Sequence, residues 1–451
     1  MPLKRFIPRF FVALSAMIAA SRAMPSSAVE LIGYVPYYRM GDANYVNNVL
    51  PTQLSMLSEV RYFGVTVTAT GALTTTAADL ANIATLAQKI SLLPPTQRPR
   101  LDITLGGDGA SAGFGTVAAS SALRTQLAQN IQALLVQTGA VGVDVDWEHP
   151  ADGVPLSIHY PALLSRIKQE VGADHRVYAT VSPEKILPRS VFEGANAVSG
   201  VSLMTYDIGW WANDPADPNL NQHSLPEYVA DSVNAWTNTA GASIPRTYVF
   251  GSKKSIDAPE DKLGVGAPLY ARGYNGSDQN LAVAYRDLAN LSSADGNAYQ
   301  YQGSNVWLPG PSLLADRVQY AYEHGLQHII FWEMYHDLPP TDARSLLRAA
   351  FTANVAVAAA HGDFNADGVS NAIDLDLWRQ HFGLAAGALA SDGDADADGD
   401  VDGADLLVWQ KQARTIPAVA AAQAAPEPST MELLLFVAAG KLLPAQRRAT
   451  R

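Results

Sequence analysis

Three carboxylates stand at alternate positions of one short segment, and their spacing suits acid–base chemistry. Asp144, Asp146 and Glu148 lie in the run Val-Gly-Val-Asp-Val-Asp-Trp-Glu-His-Pro, residues 141–150. Successive side chains of a β-strand point to opposite faces, so a strand here would put all three acids on one face. Crowded carboxylates repel each other, so at least one should keep its proton near neutral pH. A carboxyl that stays protonated at the mouth of a cleft can act as a general acid, and the outermost residue, Glu148, is the candidate.

The same spacing also suits a metal-binding cluster or a purely structural group of carboxylates. No pair of histidines accompanies the three acids, and Trp147 separates the last two of them. Histidine is the commonest protein ligand of metals, so the absence of a histidine pair here favours the general-acid interpretation.

Hydrophobic runs that alternate with helical patterns provide the frame for these acids. Runs typical of strands recur at residues 31–37, 61–67, 101–105, 141–147, 177–181, 201–204, 263–269 and 328–332. Between several of them lie stripes of helical period, namely Leu80, Ile83, Leu86 and Ile90; Leu123, Leu127, Ile131 and Leu134; and Leu163, Leu164, Ile167 and Val171. Eight strands with intervening helices predict an α/β fold, a (β/α)8 TIM barrel, whose active sites lie at the carboxyl ends of the strands. An open doubly wound sheet is the alternative, but no glycine-rich phosphate motif follows the first strand.

A second acidic pattern follows the predicted barrel and repeats itself along the chain. Residues 361–411 contain eleven Asp against one Arg and one Lys, a net charge of −9. Oxygen-bearing side chains fall twice at positions 1, 3, 5, 9 and 12 of an EF-hand loop, as Asp363, Asn365, Asp367, Asn371 and Asp374 and again as Asp394, Asp396, Asp398, Asp402 and Asp405. Gly368 and Gly399 stand at position 6, where such a loop turns sharply. The spacing predicts two Ca²⁺ sites in a small, all-α, paired EF-hand-like module.

Composition excludes several classes of protein. The chain has 451 residues, of which 48% are hydrophobic and 16% charged, so it can bury a substantial core. Its net charge of −12 disfavours a nucleic-acid partner, because phosphate binding needs a basic surface. The absence of cysteine rules out a disulfide framework, a thiolate metal site and a cysteine nucleophile. We expect no nucleic-acid partner and a monomeric protein.

Both ends of the chain have the composition of targeting segments. Basic residues precede an apolar run over residues 10–20 and then small residues, the pattern of a secretory signal peptide over residues 1–28. An Ala-rich linker, residues 413–425, leads into a C-terminal segment, residues 426–451, that begins Pro-Glu-Pro and ends with basic residues. A buried N-terminal helix and a frayed C-terminus are the respective alternatives. We expect an exported protein, at the cell surface or extracellular.

The acidic segment resembles the DxxDxDxE signature of family 18 glycoside hydrolases, the chitinase family. Further motifs follow in the family's order: residues 104–107 are similar to SxGG, residues 204–207 match MxYD, and residues 266–272 are similar to GxPxYGR. Trp332 stands where the family has a tryptophan at the end of the last strand. The resemblance covers residues 29–355 and implies a catalytic barrel that acts on N-acetylglucosamine polymers.

The resemblance also implies roles for individual residues. Glu148 would be the acid, Asp146 would position the substrate's N-acetyl group, and Asp144 would share a proton with Asp146. Tyr206 and Asp207 would help to hold the acetamido group. The implied sugar-binding residues are Tyr34, Gly106, Gly107, Met204, Trp210, Arg272 and Trp332. No cofactor is implied for catalysis.

Two positions depart from the family pattern, and several candidates have a second interpretation. Val141 replaces the first Asp of the signature, which we expect to tune activity, and Thr104 replaces Ser but keeps a hydroxyl. Arg272 also fits a structural cation of the barrel. Tyr206 and Trp332 also fit core aromatics of the barrel. Trp210, Trp211 and Trp307 fall after strands or in a loop, where they fit either sugar stacking or a hydrophobic rim.

The acidic repeat, residues 361–412, resembles a type I dockerin that follows a short linker, residues 356–360, and has Asp at position 12 of each loop. The resemblance implies Ca²⁺ as the cofactor of this module and a cohesin-type protein as its partner. A calcium-stabilised linker without such a partner is the alternative. The C-terminal segment resembles a PEP-CTERM tail, which implies envelope sorting machinery as a further partner, although Lys441 interrupts its apolar run.

These features and resemblances together imply an exported hydrolase of β-1,4 linkages in chitin or N-acetylglucosamine polymers. The family resemblance further implies that it retains anomeric configuration by a substrate-assisted mechanism. An endo-β-N-acetylglucosaminidase acting on glycans and a non-catalytic chitin-binding lectin are the alternatives. Glu148 argues against the lectin, because such proteins typically lack the acid. The stretch between Tyr274 and Trp332 is too short for a large insertion, so we expect a shallow, endo-acting groove.

Overall fold

The computed structural model describes residues 29–208, 222–238, 255–275, 278–293, 296–359, 362–365, 370–395 and 399–413. The predicted signal peptide and sorting tail lie outside these residues. In chain order the strands are β1 (Glu30–Pro36), β2 (Glu59–Val67), β3 (Leu73–Thr74), β4 (Arg100–Gly106), β5 (Gly142–Asp146), β6 (Arg176–Val181), β7 (Gly200–Leu203), β8 (Leu263–Pro268), β9 (Tyr270–Asn275), β10 (Asp278–Ala284), β11 (Ala298–Tyr301), β12 (Ser304–Trp307) and β13 (His328–Trp332). The α-helices are α1 (Leu50–Leu54), α2 (Ala77–Ser91), α3 (Phe114–Ala119), α4 (Ser121–Thr138), α5 (Tyr160–Val171), α6 (Pro226–Thr237), α7 (Tyr285–Leu288), α8 (Pro311–Glu323), α9 (Leu346–Ala359), α10 (Ala372–His381) and α11 (Gly403–Ala413).

Eight parallel strands close into a barrel. They pair in the order β1-β13-β8-β7-β6-β5-β4-β2, and the pairing of β1 with β2 completes the circle. The eight predicted strands coincide with these eight within one or two residues at each end. The predicted (β/α)8 barrel is therefore confirmed, and the alternative of an open doubly wound sheet is wrong.

The helices pack their predicted apolar stripes against the barrel. Ile83 of α2, Ile131 of α4 and Ile167 of α5 are all fully buried or nearly so. Helix α2 begins with a capping box, in which the Thr76 side chain and the Asp79 side chain each accept a hydrogen bond from the other's backbone N–H. These local signals and the hydrophobic stripes agree, so the sequence specifies both where the helices lie and which face they bury.

A second sheet is inserted between the last two barrel strands, β8 and β13. Its strands are antiparallel and lie in the order β10-β9-β12-β11. The sequence analysis did not predict this sheet, because its strands are short and carry many polar residues. The insertion is small, yet β9 and β10 contribute Arg272 and Ala282 to the wall of the cavity described below.

Two loop–helix units follow the barrel and form a small core of their own. Buried Phe364, Trp378 and Val401 lie at its centre. The indole N–H of Trp378 donates to the backbone oxygen of Asp402 at 2.8 Å, and that of Trp409 donates to the backbone oxygen of Asn371 at 2.9 Å. Each helix therefore carries a tryptophan that binds the loop of the other unit.

Within the described ranges, no helix has both the length and the apolar character that crossing a bilayer would need.

Candidate active site

Strand β5 places the acidic row inside the barrel. Asp144 and Asp146 are buried, and Glu148 follows the strand with its side chain 21% exposed. On the opposite face, Trp147 stacks on Phe114 with ring centroids 5.7 Å apart and meets Tyr160 edge-on at 5.2 Å. The alternation predicted from the sequence is thus present, with aromatic packing outside and carboxylates inside.

Asp144 lies deepest and receives hydroxyl donors from three other strands. Its Oδ2 accepts from Tyr34 Oη at 2.8 Å and from Thr104 Oγ1 at 3.1 Å, while its Oδ1 accepts from Thr180 Oγ1 at 2.8 Å. Thr104 therefore uses the hydroxyl that it shares with the Ser of the SxGG pattern. Tyr34, expected among the sugar-binding residues, lies beneath the cavity as a partner of Asp144.

Asp146 is buried between the other two carboxylates and is less well satisfied. Its Oδ1 has no hydrogen-bond partner among the described residues. Burial and the negative charges of Glu148 and Asp144 raise the pKa of Asp146 well above its usual range. Asp146 is therefore suited to hold a proton at neutral pH.

Glu148 lies at the edge of the cavity and titrates near neutrality. Burial, together with the negative charges of Asp108 and Asp207, raises the pKa of Glu148 to about 7. A hydrogen bond from the Asp108 backbone acts in the opposite direction but does not outweigh them. The backbone N–H of Glu148 donates to Ser111 Oγ at 2.9 Å, and this hydroxyl also contacts the backbone oxygen of Asp146. Sequence reasoning missed Ser111, which fixes the backbone of the acid.

Gly106 and Gly107 hold β4 close to the acidic strand. Both have positive φ, 98° and 93°, and the Gly107 N–H donates to the backbone oxygen of Asp146 at 2.7 Å. A Cβ at Gly106 would lie 2.2 Å from that same oxygen, and a Cβ at Gly107 would lie 2.2 Å from Phe63 Cζ. Neither glycine lines the cavity. Their role in the structure is this close approach, which no other residue permits.

A cavity of about 720 Å³ opens above the acidic row. Trp332 lies at its wall and meets Tyr34 and Phe63 edge-on, with ring centroids 5.5 and 4.7 Å apart. The residues predicted for the site that line this cavity are Asp146, Glu148, Met204, Tyr206, Asp207, Arg272 and Trp332. The structure thus brings most of the predicted site together around one cavity, large enough for a sugar unit and part of its neighbours.

Asp207 lines the cavity and is also bound by a cation. Arg272 Nε donates to Oδ1 at 2.7 Å and Arg272 Nη2 donates to Oδ2 at 2.6 Å, a bidentate pair. His223 Nδ1 lies 3.1 Å from Oδ1. Although burial raises the pKa of Asp207, the bonds from Arg272 and His223 dominate and hold it below its usual range. Arg272 therefore joins the inserted sheet to the end of β7, and His223 is a partner that sequence reasoning missed.

Among the described residues, Trp332 is the tryptophan that lines the cavity. Trp307 is buried and packs near His223, so both interpretations of Trp307, a sugar-stacking residue and a hydrophobic rim, are wrong. Trp210, predicted to bind sugar, and Trp211 lie outside the described residues.

A further buried carboxylate, Glu333, lies beside the cavity directly after Trp332. Arg39 Nε donates to Glu333 Oε1 at 2.5 Å and Tyr38 Oη donates to Glu333 Oε2 at 2.9 Å. His336 Nε2 lies 3.1 Å from Oε1, and burial lowers the pKa of His336 to about 3. Tyr38 and His336 both line the cavity. A charged residue at the end of an apolar strand was the sequence signal for this cluster, and it was overlooked.

The acidic loops after the barrel form a second candidate site. Asp363, Asn365, Asn371 and Asp374 of the first loop and Asp394, Asp402 and Asp405 of the second lie within the described residues. Asp367, Asp396 and Asp398 lie outside them.

In each described loop the position-12 Asp closes the loop by accepting two backbone N–H groups. Asp374 accepts from Asn365 at 3.1 Å and from Asn371 at 2.7 Å. Asp405 accepts from the backbone N–H groups of Ala395 and Asp402, each at 2.7 Å. The position-12 Asp therefore makes the same pair of contacts in both loops.

The donor set of the second loop fits a hard divalent cation. Carboxylate oxygens of Asp400, Asp402 and Asp405 all lie within 4.8 Å of one another. Asp394 is buried, and its Oδ1 has no hydrogen-bond partner within the described part of the chain. Oxygen ligands clustered in this way suit Ca²⁺. Asp400, at position 7, was not predicted as a ligand.

Comparison with known proteins identifies the barrel. The profile of the family described as glycosyl hydrolases family 18 matches residues 31–337. Chitinase C of Streptomyces lividans is 28% identical over 231 residues, which are 44% of this chain and 35% of that protein. The chain thus spans about a third of the length of this relative.

Solved structures share the fold at low sequence identity. A family 18 chitinase from Flavobacterium johnsoniae has a TM-score of 0.54 and 18% identity, over 73% of this chain and 95% of that one. A chitinase-like agglutinin from Robinia pseudoacacia has a TM-score of 0.54 and 20% identity, over 71% of this chain and 98% of that one. The profile match over the barrel, with the ordered motifs around one cavity, establishes that the chain belongs to family 18 of the glycosyl hydrolases.

Proposed function

We propose that this protein hydrolyses β-1,4 linkages of chitin or of related N-acetylglucosamine polymers, with Glu148 as general acid and base. The observation that carries the proposal is the position and the protonation of Glu148. It is a carboxyl at the edge of a cavity, and its pKa is raised to about 7, so much of it is protonated at neutral pH. An acid with a pKa near the working pH transfers protons most effectively.

The substrate itself supplies the nucleophile in the proposed mechanism. A retaining hydrolase of the usual type needs a second carboxylate about 5 Å from the acid, across the scissile bond. Asp146 shares a strand face with Glu148, and Asp207 is held by Arg272, so neither is well placed for attack. The substrate's acetamido oxygen therefore attacks the anomeric carbon while Glu148 gives its proton to the leaving oxygen.

The resulting oxazolinium ion is then opened by water. Glu148, now a carboxylate, takes a proton from that water, which adds to the anomeric carbon from the side of the departed sugar. Asp146 and Tyr206 orient the acetamido group, and Trp332 supports the sugar ring. Two inversions at one carbon give a product that retains the β-anomer.

The proposal is tested with soluble chitin oligomers and a high-mannose glycopeptide, each incubated with wild-type protein and with Glu148→Gln. We expect β-anomeric products from chitin oligomers by NMR, and loss of nearly all turnover in Glu148→Gln with oligomer binding retained. An α-anomeric first product, or normal turnover in the variant, would overturn the mechanism.

The same experiment separates the alternatives. Cleavage of the glycopeptide alone would indicate an endo-β-N-acetylglucosaminidase, and binding without cleavage would indicate a lectin. The agglutinin with a similar fold makes this comparison worthwhile. The protonated carboxyl of Glu148 at the cavity favours an enzyme over a lectin.

We further propose that residues 361–412 form a calcium-dependent, dockerin-like module that docks onto a cohesin-type protein. Support comes from the shared geometry of the two loops and from the carboxylates of Asp400, Asp402 and Asp405 that face one another. Pull-down of a cohesin by the full chain, with calcium and after chelation, tests the partner. Equal recovery in both conditions would contradict it.

We also propose export, with removal of residues 1–28 and processing of the C-terminal tail. The support is the order of basic, apolar and small residues at the N-terminus and the Pro-Glu-Pro segment near the C-terminus. Peptide mapping of the envelope-associated protein should find no peptides beyond about residue 430. An intact C-terminus in mature surface protein would contradict the sorting signal.

A further inference from the structure

A buried arginine lies beneath the acidic row, near the centre of the barrel. Arg61 on β2 has no exposed surface, and its Nη1 lies 3.3 Å from Asp144 Oδ1. Its Nε donates to Glu59 Oε1 at 2.8 Å, and its guanidinium carbon lies 4.5 Å from the ring centroid of Tyr178. Burying a guanidinium is costly unless it is paired and hydrogen-bonded, so these contacts hold its orientation.

The same guanidinium also reaches Asp144 through a tyrosine. Arg61 Nη1 donates to Tyr34 Oη at 2.8 Å, and Tyr34 Oη donates to Asp144 Oδ2 at 2.8 Å. With Thr104 and Thr180 included, both oxygens of Asp144 accept hydrogen bonds. Donors that converge on a carboxyl favour its charged form.

Asp146 has the opposite surroundings. Its Oδ1 has no partner among the described residues, and its neighbours along the strand face are the carboxyls of Asp144 and Glu148. Burial without donors favours the neutral form of a carboxyl. The two acids therefore differ in what surrounds them, although they stand two residues apart.

We propose that Arg61 is a positioning residue that holds Asp144 as a carboxylate and thereby places the proton of the Asp144–Asp146 pair on Asp146. The inference rests on the proposed function, because it assigns the charge that faces the reacting sugar. The pair then carries one negative charge, on Asp144. That charge stabilises the positive oxazolinium ion at the place where it forms.

Other titratable groups surround the pair without replacing Arg61. Those facing the two acids are Tyr34 of β1, Tyr160 of α5, Tyr206 after β7 and Glu148 after β5. Those behind Arg61 are Glu59, Asp102, Arg100, Arg176, Tyr178 and His328. Arg100 and Arg176 pair with Glu30 and Glu59, and burial lowers the pKa of His328 so that it stays neutral. The charge in contact with Asp144 is that of Arg61.

The proposal has a defined consequence for pH dependence. A second proton on the pair removes its negative charge, and Arg61 opposes the binding of that proton. Without Arg61 the second proton binds at higher pH, so the acidic limb of the kcat/KM profile moves to higher pH. A shift of one pH unit means an approximately tenfold loss of kcat/KM on that limb.

The test compares pH profiles of kcat/KM on soluble chitin oligomers for wild type, Glu59→Gln, Arg61→Lys and Arg61→Met/Glu59→Gln. The double variant removes both charges of a buried ion pair together, which proteins tolerate better than removal of one. Glu59→Gln is the matched control, since it disturbs the same network but keeps the contact with Asp144. We expect the acidic limb to rise by at least about one pH unit in the double variant.

In Arg61→Lys the acidic limb should return at least partly to its wild-type pH. In Glu59→Gln it should stay at the wild-type pH or move to lower pH. A folded double variant whose acidic limb coincides with that of Glu59→Gln would overturn the proposal. A merely structural role for Arg61 would lower stability and rate without moving the limb.

Infrared difference spectra locate the proton without requiring activity or an Arg61 variant. At neutral pH, wild type minus Asp146→Asn should show the loss of a protonated carboxyl band, and wild type minus Asp144→Asn the loss of an ionised carboxylate band. The reverse pattern would overturn the assignment. Failure of the wild type to cleave chitin oligomers would defeat the proposed function, and these spectra would still decide where the proton lies.

Discussion

The barrel and the loop–helix pair both gather Asp side chains, but they satisfy them in different ways. In the barrel, Asp144 accepts from Tyr34 and Thr180 and faces Arg61, so side chains of three other strands share its charge. In the second loop, Asp405 accepts from two backbone N–H groups, and its oxygens lie near those of two other acids. The carboxylate of Asp144 is thus satisfied by side chains of the protein, whereas the carboxylates of the second loop lie close together, as the calcium site that we propose requires.

This contrast predicts that each cluster fails in its own way. Loss of a barrel carboxylate removes a group already placed for chemistry, so activity should fall while the fold survives. Loss of calcium leaves the loop carboxylates to repel each other, so the fold of that module should fail while activity survives.

The largest effect is expected for Asp146→Asn. Turnover of chitin oligomers should fall by ~10²–10⁴-fold, the range typical of general acid–base and positioning groups. An asparagine side chain cannot hold the proton that we propose for Asp146. Steady-state kinetics measures the loss, and Asp376→Asn, an exposed change on α10, is the control that should keep full turnover. Comparable activity in the two variants would contradict a role for Asp146 in the reaction.

Chelation is the second test, performed on the full chain. Without calcium, residues 361–412 should lose their tertiary structure, and the fluorescence of Trp378 and Trp409 should change. Calcium at about 100 times its Kd would stabilise the module by about 2.7 kcal/mol. Hydrolysis of chitin oligomers should be the same before and after chelation. Parallel loss of activity and fluorescence signal would show that the two regions are not independent.

The basic limb of the pH profile comes next in size. The pKa of Glu148 is raised to about 7, and the enzyme needs its protonated form to release the leaving sugar. As pH rises above that value the proton is lost, and kcat/KM should fall by about tenfold per unit. A profile flat to about two units above neutrality would exclude Glu148 as the acid.

The smallest effects are expected in the tryptophans that connect the two loop–helix units. Trp378→Phe and Trp409→Phe each remove one indole hydrogen bond to the opposite loop. Each loss should lower the calcium-bound stability of the module by about 1 kcal/mol. Denaturant titrations should give similar values for both, and turnover should not change. A large difference between the two would contradict the equivalence of the units.

The sequence predicted the barrel well because its signals were local and consistent. Alternating residues such as Val143, Asp144 and Val145 identified both the strand and its inward face, and the stripe containing Ile131 identified a buried helix side. It also predicted the acids that meet at the cavity. These features depend on periodicity, which a single sequence displays directly.

The partners of the acids could not be predicted in this way. Arg61 lies in an apolar run, and only closure of the barrel brings it against Asp144, on a strand far along the chain. His223 and Arg272 reach Asp207 from two further segments. Such contacts depend on tertiary structure, and neither spacing nor composition indicates them. The inserted sheet was missed for a related reason, since its short polar strands are defined by their pairing.

The bidentate pair between Arg272 and Asp207 joins the inserted sheet to the barrel at one point. Arg272 lies on β9, in register with Ala282 of β10 and Trp307 of β12. Two parallel hydrogen bonds resist rotation as well as translation, so the inner strand cannot turn about its connections to the barrel. The edge strands β10 and β11 are free of this constraint. We therefore expect that substitutions in β10 and β11 can change which sugars the groove admits. Such changes should leave the acidic row of β5 undisturbed.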